Sequence, residues 1–78
     1  GVQVLNAEEK KQLQRTVQKS EKRIGELEVQ IKDMEHKMAD TAFYNQPEAD
    51  KLMQQYQSWK TELSNVYAEW EQAVEKLG

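Results

Sequence analysis

From Leu13 onward the apolar residues step by four and three: Leu13, Val17, Ile24, Leu27, Ile31, Met34 and Met38, with Ser20 as the one polar member of the series. This is an a/d heptad seam, the pattern of a helix that lays one narrow stripe against a partner. Asn6 and Glu9 are N-cap and N3 residue types, so a first helix is predicted over residues 7–39. Residues 40–46 are mostly small and polar around Phe43 and Tyr44. Pro47 suits a first helical turn, where the missing N–H has no partner to lose. Beyond it Ala49, Leu52, Tyr56, Trp59, Leu63, Val66, Trp70, Ala73 and Leu77 repeat the spacing without a break, predicting a second helix over 47–77. A period of 3.5 implies a left-handed supercoil, and a connection this short makes the helices fold back on each other. The predicted fold is all-α: a two-helix antiparallel coiled-coil hairpin over 7–77, about 45–50 Å long at 1.5 Å per residue. Residues 1–6 form a lead in front of it.

Charge and size fix the register of the pairing. If facing residue numbers sum to about 90, Ile31 meets Trp59, Leu27 meets Leu63, Ile24 meets Val66, and Ser20 meets Trp70. A small residue opposite the largest one keeps the layer at constant width. The same register brings Arg23 near Glu69 and Glu28 near Lys60. With both halves of the seam in one chain, a monomer is expected.

The 78 residues are 37% apolar and 32% charged, too few apolar side chains for a round core with an enclosed ligand pocket. No apolar run is long enough for a membrane span, and there is no cysteine, so a soluble, cytoplasmic chain without disulfides is expected. His36 stands alone at an outward position, Gly1, Gly25 and Gly78 are isolated, and Glu8, Glu9, Glu69 and Glu71 read as helix-surface acids. Nothing in this set assembles catalysis, a metal site or a cofactor site.

Three surfaces are candidates for function. The first is basic: residues 10–23 hold Lys10, Lys11, Arg15, Lys19, Lys22 and Arg23 against Glu21 alone, while 62–78 hold Glu62, Glu69, Glu71 and Glu75 against Lys76. Lys11, Arg15, Lys19 and Lys22 form an outward row able to follow a phosphate backbone, with Arg23 beside it. A solvated helix face partly neutralised by helix two accounts for the same charges. The second is a row at e positions, Met53, Tyr67 and Val74, interrupted by Lys60; it docks a third element, widens the seam over Gln14, Glu21 and Glu35, or is covered by a partner, self-association into a four-helix bundle included. The lead, through Val2, Val4 and Leu5, is one such element, able to reach Val74 and Leu77. The third is the tip, where Phe43 and Tyr44 plug the seam over Met38 and Leu52 or stay exposed as a recognition point.

Asp40-Thr41-Ala42-Phe43-Tyr44 at the tip and Tyr67-Ala68-Glu69-Trp70-Glu71 late in helix two resemble the C-terminal domain of ABC-F ATP-binding cassette proteins. The likeness covers residues 8–77, with Lys10-Lys11-Gln12-Leu13 departing from the family's usual lead. It implies an accessory domain without catalytic residues, in a cytoplasmic parent whose upstream ATPase cassettes use ATP and Mg. It also implies contact with RNA, the ribosome or DNA. Two alternatives stay open: a tRNA-binding arm like those of some aminoacyl-tRNA synthetases, and a structural spacer or protein-docking hairpin.

Overall fold

The computed structural model describes residues 4–78. Two long helices, α1 (Ala7–Met38) and α2 (Ala49–Leu77), run antiparallel and pack along their length, joined by a short 3-10 helix, η1 (Thr41–Asn45). The molecule measures 56 × 19 × 15 Å, with a radius of gyration of 17.5 Å against about 11–12 Å for a rounded domain of this length. The all-α helical hairpin read from the heptads is therefore the fold. It exceeds the length expected of the helices because residues 4–6 and the tip add to the ends.

Local chemistry sets the boundaries. The Asn6 side chain accepts a hydrogen bond from the Glu9 N–H at 2.8 Å, satisfying one of the free donors of the first turn of α1. At the tip Asp40 does the same for η1, its Oδ1 accepting from the Ala42 N–H at 3.0 Å. Gln46, which precedes proline, is extended, as clash with the proline ring requires. Pro47 and Glu48 then form a turn, and α2 begins at Ala49, two residues after the proline.

All seventeen seam residues are buried or half-buried. Only four other described residues share that status: Leu5, Arg23, Phe43 and Glu62. Leu27, fully enclosed, is the centre of the seam, and Ser20 is 4% exposed, so the polar interruption is truly inside. Towards the tip, Met34, Phe43 and Tyr56 form a cluster flanked by Ile31, Met38, Leu52 and Trp59. Two cross-helix hydrogen bonds report the register: Tyr56 Oη donates to Glu35 at 2.8 Å, and Trp70 Nε1 to Glu21 at 3.4 Å. Both pairs of numbers sum to 91, within one residue of the register that places Ser20 against Trp70.

The tip pair divides. Phe43 is buried as a plug, while Tyr44 is 52% exposed and meets it edge to face, with ring centroids 5.2 Å apart. A 3-10 helix turns about 120° per residue, so neighbouring side chains cannot both face the seam.

Candidate functional site

The outward row lies on the side of α1 opposite the seam. At about 100° per residue, Lys11, Arg15, Lys19 and Lys22 fall within an arc of about 80°, and they span about 17 Å of helix. All four are exposed, and among the described residues none has an ion-pair partner. Their charges are thus free to act on solvent or a ligand. None of the acids of 62–78 forms an ion pair with them.

Arg23 corrects the expected set. Its Nε donates to Glu62 Oε2 at 2.6 Å and its Nη2 to Glu62 Oε1 at 2.9 Å, a two-point pair across the helices, and Nη1 reaches Glu26 at 3.5 Å. It is half-buried and engaged, so it does not belong with the four free cations. Nor does it pair with Glu69 as the register suggested. Glu62 and Glu69 occupy equivalent g positions one heptad apart, and the long guanidinium side chain reaches the one nearer the tip. The hydrogen bond from Arg23, reinforced by its charge, holds the Glu62 carboxyl below the usual carboxylate range, and Glu62 pushes the guanidinium pKa up. The second expected pair, Glu28 with Lys60, is also absent: the Lys60 ammonium sits 5.2 Å from the centre of the Tyr56 ring.

The two flanks of the seam differ. On the g flank, Arg23 and Glu62 bridge the helices, and Leu5 lies in a depression with Glu9, Gln12, Leu13, Thr16 and Lys76. This corrects the expected course of the lead: Leu5 lies on the flank opposite Val74, Val4 stands exposed, and Val2 lies outside the described residues. On the e flank, Met53, Tyr67 and Val74 remain about 40% exposed, with Lys60 between them. Glu35 and Glu21 on the same flank hold the polar ends of Tyr56 and Trp70. The hydrogen bond to Glu35, then burial, pushes the Tyr56 phenol above its usual range. Sequence reasoning missed Glu62, Glu35 and Glu21 as ligands of these side chains. The signal was available: a seam Tyr or Trp needs a partner for its polar atom, and a glutamate at the neighbouring e position is within reach.

No group of His, Asp and Glu among the described residues is placed to hold a metal. No helix in the described residues is long and apolar enough to cross a membrane. The depression at the tip, lined by His36, Lys37, Asp40, Phe43 and Leu52 among others, is open to solvent rather than enclosed.

Among known families, the chain matches the model described as the ABC transporter C-terminal domain, over residues 8–74. No curated protein and no solved structure matches. The match covers both helices and the tip and leaves the synthetase-arm alternative without support. The chain belongs to the ABC transporter C-terminal domain family, the C-terminal domain of ABC-F type proteins.

Proposed function

We propose that this domain is a non-catalytic accessory module that holds nucleic acid by its backbone, through Lys11, Arg15, Lys19 and Lys22. The observation that carries the reading is that four exposed cations share one outward line of α1 with no ion-pair partner among the described residues. Successive members are about 5–6 Å apart along the axis, and no aromatic side chain stands among them. Stacking on bases, the usual grip on single strands, is missing there, so the row reads charge and favours the dense phosphate array of a duplex. The reading places ATP and Mg in the upstream cassettes of the parent, and makes the ribosome or another structured RNA, or DNA, the surface contacted.

The test is fluorescence anisotropy of a structured RNA and a branched DNA titrated with the domain at low and near-physiological salt. With four phosphates neutralised, log K is expected to fall with log salt at a slope of about −3 to −4. Changing Lys11, Arg15, Lys19 and Lys22 to Glu should abolish binding while leaving the helical circular dichroism intact, because none of the four touches the seam. Equal binding by this variant, or no binding by the parent domain at low salt, overturns the proposal.

A further inference from the structure

We propose that the e flank of the hairpin is a docking surface for a basic amphipathic helix of another protein or protein segment. The g flank is bridged by Arg23 and Glu62 and covered at its open end by Leu5. The e flank has no such cover. Met53, Tyr67 and Val74 stand 39%, 39% and 40% exposed along about 32 Å of α2. Facing them on α1, at intervals of seven residues, are Glu21, Glu28 and Glu35. None of these three has an ion-pair partner among the described residues.

An apolar rail beside an acidic one selects its occupant. A helix laid in the trough would put apolar side chains at heptad spacing on Tyr67 and Val74, and lysines or arginines along the carboxylates. Asp50 and Glu71 border the α2 side and add to the negative field. The cations nearby are Lys60, drawn onto the Tyr56 ring, and Lys11 and Lys32 on the α1 border. Nucleic acid is repelled by this flank. A second copy of the chain is a poorer occupant, since its cationic row carries no apolar residues to fill the rail and its own e flank has the same sign. The proposal is independent of the outward row.

The probe is a synthetic 21-residue helix with leucines at heptad spacing flanked by lysines, tested beside the same helix with glutamate in place of lysine. Nitrogen-15 amide spectra of the domain should shift along Met53, Tyr67 and Val74 with the lysine peptide. The glutamate peptide should bind at least about tenfold more weakly, a gap of about 1.4 kcal/mol. A Tyr67→Ser/Val74→Ser variant, altered only at exposed positions, should lose at least as much. Glu28→Gln, which disturbs no hydrogen bond of the seam, should weaken the lysine peptide alone. Equal affinity for both peptides, shifts centred on Lys11–Lys22 or the g flank, or sedimentation showing a dimer closed through Tyr67 and Val74 overturns the proposal.

Discussion

Ser20→Leu tests the register more sharply than any other single change. Ser20 is 4% exposed, so an enlarged side chain there cannot swing out to solvent without moving a helix. The register puts Trp70 opposite it, whose indole is tied to Glu21 at 3.4 Å, and Ala73, itself buried, lies one step along α2. Leucine places two more heavy atoms in this layer. Overpacking of that kind costs about 1–3 kcal/mol. Taking about 2 kcal/mol, and about 4–8 °C per kcal/mol for a domain of this size, the thermal midpoint should fall by about 8–16 °C. The assay is thermal unfolding followed at 222 nm, with Ser20→Leu/Trp70→Leu alongside. If Ser20 is small because Trp70 is large, the double variant recovers most of the loss. A rise in midpoint for Ser20→Leu alone, or no recovery in the double variant, would show that these two residues do not share a layer.

Arg15→Gln should weaken nucleic-acid binding yet raise stability by about 0.4–1 kcal/mol at low salt, because it removes like-charge neighbours at both i−4 (Lys11) and i+4 (Lys19); urea unfolding at two salt concentrations checks the sign and its decay. Gly25→Ala should stabilise by about 0.5–1 kcal/mol, since a Cβ there meets nothing within 4 Å and the helix interior disfavours glycine; a loss would point to an unseen constraint on that face. Glu62 is held below the ordinary carboxylate range by Arg23, so its contribution is fully present above about pH 4.5 and is lost as pH falls through the lowered folded value. Glu62→Gln should flatten the acid limb of the stability profile and leave the limb above neutrality unchanged.

The hairpin was legible because a two-helix seam needs only its a and d positions, and all seventeen of those positions are buried or half-buried. Capping at Asn6 was equally local and therefore readable. What escaped was side-chain reach. Glu62 and Glu69 are equivalent by heptad position, and only the path of the Arg23 side chain distinguishes them. Tyr56 and Trp70 were legible as seam residues but not as hydrogen-bond donors to Glu35 and Glu21. The lead was equally beyond reach, because nothing in the order Val4-Leu5-Asn6 says on which flank Leu5 will lie. At the tip, proline at 47 marked a boundary, but the separate fates of Phe43 and Tyr44 depended on η1 being a 3-10 helix. The family match covers the seam as far as Ala73, yet says nothing about which flank is closed.

The arrangement of charge on α1 argues that the outward row exists for a ligand rather than for the fold. A long exposed helix is stabilised when opposite charges alternate at i and i+4, and destabilised when like charges do. Lys11, Arg15 and Lys19 follow one another at the unfavourable spacing, and Lys22 stands three residues further on. Interleaving glutamates would have removed the repulsion without disturbing the seam. No acid stands within the row, although Glu8, Glu26 and Asp33 lie on the same side of α1 beyond its ends; Glu21, Glu28 and Glu35 keep to the e positions, and the ion pairs among the described residues belong to Arg23 alone. Like charges in succession at this spacing lower stability by a few tenths of a kcal/mol per pair, a cost that folding does not require. What it produces is a positive stretch of about 17 Å on the back of α1 and an acidic rail along its e flank. The positive face attracts phosphate and the negative one repels it, so a bound nucleic acid would lie along the back of α1 and leave the e flank open to a different partner.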